Sequence, residues 1–332
     1  QIMTEVLQIN NLRTYFRGED TVVKAVDGIS YGIEEGETLA IVGESGCGKS
    51  VSALSILGLI PSPPGWIESG QIMFDGHDLL TLSDREIRKV RGAKIGMVFQ
   101  EPMSSLNPVL SVERQMTEGI RLHLGLTKQQ ARTRAVEMLE TVQIPDADSQ
   151  LKRHPHMFSG GMRQRLMIAM ALSCGPQLII ADEPTTALDV TVQAQILDLM
   201  KQLCQENNVA LMIITHNLGV VARYADRINI MYAGKIIEQG TAREIYRSPR
   251  HPYTLGLLGS IPRLDGRQSD KLQPIEGQPP DLGDLPSGCH FNPRCQYAIE
   301  KCTIEYPPFI DLDGSHRAAC WIPDELRTGA GQ

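Results

Sequence analysis

The stretch GESGCGKS, residues 43–50, fits the spacing G-x-x-x-x-G-K-[ST]. It follows the apolar run TLAIV and opens the run SVSALSILGLI, which stops before Pro61. A strand that delivers a glycine-rich turn directly onto a helix N-terminus belongs to an α/β sheet. The glycines let backbone N–H groups turn inward around phosphate oxygens, and the helix terminus adds partial positive charge. Lys49 is positioned to reach the β- and γ-phosphates of a nucleotide and the Ser50 hydroxyl to ligate magnesium. Gly43, Glu44, Ser45, Gly46, Cys47, Gly48 and Val51 complete the expected nucleotide contacts.

Apolar and alternating runs predict further strands at VLQINNL, GQIMFDG, KIGMVFQ, QLIIADE and ALMIITH. A last pair, INIMYAG and KIIEQG, is expected to turn at Ala233 and Gly234. Helical spacing places Ala131, Ala135, Met138, Leu139 and Val142 on one face, and Ile196, Leu199, Met200 and Leu203 on another. Buried strands alternating with helices imply a mainly parallel sheet. Between Gln100 and Phe158 the pattern is mostly helical, as expected of an inserted subdomain, and after Ser260 it dissolves into proline-, glycine- and aspartate-rich sequence.

A formal net charge of -7 over 332 residues argues against nucleic acid as the main partner. No run reaches eighteen apolar residues and no secretory signal is legible; the opening QIMTEVLQI reads as two added residues before a natural start at Met3.

QLIIADEP supplies the acidic half of a nucleotide site. Its strand would deliver Asp182 to hold magnesium and Glu183 to polarise an attacking water. FSGGMRQR sets Ser159, Gly160 and Gly161 at a helix start, a second anion cradle in the same chain. One nucleotide does not need two cradles. Two chains facing head to tail do, each covering the other's ATP.

In these motifs and their order the chain resembles the ATP-binding subunits of ABC transporters, from Met3 across nearly its whole length. The resemblance implies an ABC-type P-loop ATPase core with an antiparallel β subdomain, an inserted helical subdomain near residues 101–165, and a small irregular Cys-rich C-terminal region. It divides the chain into a nucleotide-binding domain over 3–260 and an extension over 261–332. By the same likeness Gly43 to Ser50 form the Walker A loop and Gln100 in VFQEP is the Q-loop glutamine, which also meets magnesium. Ser159 to Gly161 belong to the signature, Asp182 and Glu183 to Walker B, Asp189 to the D-loop, and His216 in IITHN is the switch histidine. Met162 stands where glutamine is usual, but the serine and glycines facing phosphate are intact. Adenine is expected to stack on Phe16 or Tyr15.

QEPMSSLNP, FSGGMRQR and HPYTLGLLGSIPRL, followed by a cysteine-bearing tail, are most similar to the ATPase subunits of dipeptide and oligopeptide importers, whose relatives include nickel importers. The implied partners are a paralogous ATPase subunit, with a homodimer as the alternative, two integral-membrane permease subunits, and indirectly an extracytoplasmic peptide-binding protein. The implied location is the cytoplasmic face of the membrane. Competing readings are a soluble non-transport ABC-type ATPase, which would carry a long coiled coil or a fused second cassette, and a metabolic kinase, which would not need the Ser159 cradle.

Of seven cysteines, Cys47, Cys174 and Cys204 read as small buried or loop thiols. Cys289, Cys295, Cys302 and Cys320 are separated by five, six and seventeen residues. Four thiolates can tie an irregular tail around one metal centre where apolar burial is too small to do so. Disulfides suit an oxidising compartment, zinc usually shows C-x-x-C pairs that are absent here, and a [4Fe-4S] cluster takes looser spacing. Resemblance to the peptide importers implies the cluster, with Zn2+ as the alternative.

Overall fold

The structure is a computed structural model that describes residues 5–186, 188–261, 275–312 and 314–322. In chain order the strands are β1 Glu5–Arg17, β2 Val22–Glu34, β3 Thr38–Val42, β4 Gly65–Phe74, β5 His77–Asp78, β6 Ile95–Val98, β7 Leu178–Asp182, β8 Ala210–Thr215, β9 Arg227–Tyr232, β10 Lys235–Thr241, β11 Ile310–Asp311 and β12 Arg317–Ala318. They fall into two compact units built from interleaved segments. The first comprises Gln1–Leu7, Ile33–Thr38 and Phe74–Ile214, and the second Gln8–Gly32, Leu39–Met73 and Thr215–Gln332.

In the first unit β6, β7 and β8 run parallel, with Ile95 opposite Leu178 and Leu178 opposite Ala210. Every residue of β7 is buried, which is why LIIAD reads as a continuous run with no polar alternation. The helical reading between Gln100 and Phe158 agrees with the structure: helices occupy Pro102–Ser105, Val112–Leu124, Lys128–Thr141 and Ala147–Gln150. Ser111 caps the second of these by accepting from the Arg114 amide, and Gly125 ends it at φ 66°. Thr127 and Gln130 form a reciprocal capping box for the third. Ala131, Ala135, Leu139 and Val142 are buried as their spacing predicts, but Met138 is only half-buried, at the edge of the stripe. Ile196, Leu199, Met200 and Leu203 bury one face of the helix Val190–Glu206.

In the second unit β3 lies parallel to β9, with Leu39 opposite Arg227 and Val42 opposite Ile230. β9 and β10 form the expected hairpin, turning at Ala233 (φ 44°) and Gly234 (φ 80°), the pair of positive angles that a two-residue turn matching strand twist requires. A second sheet runs in the order β2, β1, β4. Residues 275–288 carry no helix or strand, as the sequence predicts, while 262–274 of the same stretch lie outside the described residues. The far end of the tail joins the sheet: β12 pairs with β10, Glu238 opposite Ala318, and β11 with β12. The tail is thus a structural part of the unit that carries the phosphate loop.

Candidate functional site

β3 buries all five of its residues and ends just before Gly43. A Cβ on Gly43 would stand 2.1 Å from the Met231 carbonyl oxygen, and one on Gly48 2.0 Å from that of Ala25, so only glycine fits at either position. Gly46 and Gly48 lie at φ 80° and 105°, and a Cβ on Gly46 would meet nothing, leaving that side of the loop open. Such a turn directs amides at an anion. Lys49 opens the helix Lys49–Ile56 and is buried; its Nζ donates to the carbonyls of Gly43 at 2.7 Å and Glu44 at 2.9 Å. Ser50 lies half-buried in the first turn, with Val51 after it. Cys47 is buried, and burial raises its pKa.

The Tyr15 hydroxyl donates to Asp27 Oδ1 at 2.8 Å, and its ring meets Trp66 edge-on at 6.1 Å. Phe16 lies against Gly65, where an added Cβ would come within 2.7 Å of its ring. Burial alone would raise the pKa of Asp27. Hydrogen bonds from Lys235, Tyr15 and Arg13 outweigh it and bring the carboxyl to about 2. His216 is exposed just past β8, where Asn217 caps the short helix Leu218–Val221 by accepting from the Val220 amide at 3.3 Å.

In the first unit Asp182 and Glu183 end β7, both buried. Glu183 sits at φ 44°, a left-handed backbone that a glutamate adopts only at a cost and that marks functional strand ends. Its amide donates to the Ile214 carbonyl at 2.9 Å. Its Oε2 accepts from Gln100 Nε2 at 3.1 Å and from Thr186 Oγ1 at 2.8 Å. The expected general base and the expected Q-loop residue are therefore in direct contact. Ser159 caps the helix Gly160–Leu172, its Oγ accepting from the Met162 amide at 3.3 Å. A Cβ on Gly161 would press to 3.0 Å from Val192 Cγ1. Asp189 caps the helix Val190–Glu206 through the Val192 amide at 3.0 Å.

Cys289, Cys295, Cys302 and Cys320 line one cavity together with His251 and Phe291. Burial pushes the Cys289 thiol up to about 11 and the Cys320 thiol up to about 12. Among the described residues no three or more His, Cys, Asp or Glu side chains are grouped closely enough to hold a metal ion.

The model of the family described as ABC transporter matches residues 26–186, and that of the oligopeptide/dipeptide transporter C-terminal region matches 237–302. The chain is 50% identical to the dipeptide transport ATP-binding protein DppD of Bacillus subtilis over 97% of its own length and 96% of the relative's. It is 49% identical to the oligopeptide transport ATP-binding protein OppD of the same organism, over 96% and 89%. The chain belongs to the ABC transporter family. Among solved structures, a dimeric ATP-binding cassette in a post-hydrolysis state bound to ADP and Pi superposes with a TM-score of 0.64 at 28% identity, covering 71% of this chain and 99% of that one. The cassette cbiO1 of Clostridium perfringens gives 0.62 at 29%, over 73% and 90%.

As a member of that family the chain is an ATPase of the P-loop cassette fold, for which ATP and Mg2+ are the expected ligands and a membrane permease and a second ATPase subunit the expected partners. The glycine turn, where a Cβ on Gly43 or Gly48 would strike a backbone carbonyl, fits the phosphates. No helix is long and apolar enough to cross a membrane among the described residues. Sequence reasoning gave no role to three residues that shape these sites. Thr186 holds Glu183, Tyr253 accepts from the Glu44 amide at 2.9 Å, and Arg294 grips the Glu44 carboxylate. Each partner lies three or more positions away in sequence, and for the last two the separation exceeds two hundred.

Proposed function

We propose that this chain is the ATP-hydrolysing subunit that powers import of di- or oligopeptides through a membrane permease. The observation that carries this reading is that both regions match together: a cassette over 26–186 and a peptide-transporter C-terminal region over 237–302, in a chain 50% identical to a dipeptide transport ATP-binding protein over 97% of its length. The working division is a nucleotide-binding domain over 3–260, with its helical subdomain near 101–165, and an extension over 261–332.

Residues 43–51 bind the nucleotide, with Lys49 exchanging its hold on the loop carbonyls for phosphate. Ser50, Asp182 and Gln100 are the residues assigned to Mg2+, which would neutralise phosphate charge when bound. Glu183, oriented by Gln100 and Thr186, accepts a proton from the attacking water. His216 acts beside the terminal phosphate. Ser159, Gly160, Gly161 and Asp189 face ATP held by the paralogous subunit. Phe16 or Tyr15 takes the adenine face. Closure of the ATPase pair on ATP and its reopening after hydrolysis move the permease.

The tail cysteines are assigned to a [4Fe-4S] cluster. Its support is the shared cavity and the resemblance to peptide importers, with Zn2+ as the alternative. Pull-down of the tagged chain from membranes tests the transport reading: permease subunits copurify if it is right, and recovery without them supports the soluble ATPase instead.

A further inference from the structure

Glu44 is the second residue of the phosphate loop, and its main chain and side chain are both held from outside the loop. Its amide donates to Tyr253 Oη at 2.9 Å. Its two carboxylate oxygens accept separately from Arg294, at 2.7 Å from Nη1 and 3.0 Å from Nη2. An exposed ion pair of this kind contributes little, but the Arg294 side chain is only 5% exposed, and a fork-on-fork pair fixes direction as well as charge. Two further donors are committed: Nε donates to the Glu276 carbonyl at 3.0 Å and Nη1 to Tyr232 Oη at 3.4 Å.

Local sequence explains how Arg294 arrives there. Asn292–Arg294 forms one tight turn with Pro293 at its start. Phe291, just before it, is buried, with ring centroids 5.2 Å from Tyr232 and 5.4 Å from Tyr253. That aromatic anchor fixes the turn, and the residue after it is Cys295.

Given the ATPase reading, we propose that Arg294 is a positioning residue of the phosphate loop. By holding Glu44 it keeps the loop in the form that receives ATP, and it ties ATP affinity to the folding of the cysteine-bearing tail. Lys49 rests on the Glu44 carbonyl, so movement of Glu44 displaces the residue that must meet the phosphates. Because the tail orders the loop in advance, ATP does not have to, and this preorganisation appears in affinity. With four of its five donors engaged within the protein, Arg294 contributes nothing to turnover once ATP is bound.

The test is titration of the full chain with a fluorescent ATP analogue and Mg2+, alongside ATPase measurements at saturating ATP. Arg294→Met is expected to weaken binding roughly ten-fold, as loss of a buried charge-assisted pair should, with kcat within about two-fold of wild type. Arg294→Lys restores part of the affinity, and Glu44→Gln, which keeps Arg294, weakens it as well. The double variant Glu44→Gln/Arg294→Met binds no more weakly than Arg294→Met, because both remove one interaction. Wild-type affinity in Arg294→Met, additive losses in the double variant, or matched losses of kcat and affinity would overturn the proposal. If Arg294→Met does not fold, the Arg294→Lys and Glu44→Gln comparison decides the question. Failure of the wild-type chain to bind the analogue would instead overturn the ATPase reading.

Discussion

Gln100 Nε2 donates to Glu183 Oε2 at 3.1 Å, joining the second residue after β6 to the residue after β7 through side chains eighty-three positions apart. With Thr186 on the same oxygen, the carboxylate is oriented before any nucleotide arrives. Glu183→Gln keeps the shape and removes the base. We expect it to bind ATP with near-wild-type affinity, to accumulate a closed ATPase pair, and to lose at least about 10²-fold in turnover, as removal of a general base does. Thr186→Val, which removes one of the two orienting bonds, should lower kcat with little change in KM. Near-normal turnover in Glu183→Gln would move the base elsewhere.

Asp27 makes stability acid-sensitive. Its folded pKa of about 2 lies below the ordinary aspartate value of 3.8, so its contribution is present above about pH 4 and is lost as pH falls toward 2. The difference is worth on the order of 2 kcal/mol. Asp27→Asn should therefore lower the unfolding midpoint at pH 7 by several degrees and make little difference near pH 2, measured by thermal unfolding across that range. A penalty that persists undiminished at pH 2 would assign the effect to packing.

Much of this site was legible because its chemistry is local. The Walker A loop works through the backbone of eight consecutive residues, and its glycines are required by contacts of 2.1 Å and 2.0 Å that any side chain would violate. β7 and β8 were plain because strands buried on both faces admit only apolar residues. β2 was not. Its buried residues Ala25, Val26, Ile29, Tyr31 and Ile33 alternate only after Gly28, which has a φ of 82°, so no period-2 pattern runs the length of the strand. The clamp on Glu44 was hidden for another reason: Arg294 and Tyr253 act through single long-range contacts, which no periodicity records.

Assembly follows from the paired cradles. Alone, the chain should elute as a monomer in size-exclusion chromatography with ATP and hydrolyse slowly, and adding its paralogue should produce a dimer and raise the rate. A tight, fully active dimer of the isolated chain would show that Ser159 meets ATP held by an identical partner.

For the tail, protein purified without oxygen should be brown, absorb broadly in the visible, and contain iron that is lost when Cys289, Cys295, Cys302 or Cys320 becomes serine. Colourless protein with one zinc per chain would remove the cluster and leave the ATPase untouched.

The most direct test of the whole account is transport by the complete complex, with this chain, its paralogue, the permease and the binding protein in proteoliposomes. We predict that labelled peptide accumulates only with MgATP, that peptide-loaded binding protein raises ATP hydrolysis, and that Glu183→Gln abolishes both. Accumulation of nickel in place of peptide, or peptide uptake that survives Glu183→Gln, would contradict it.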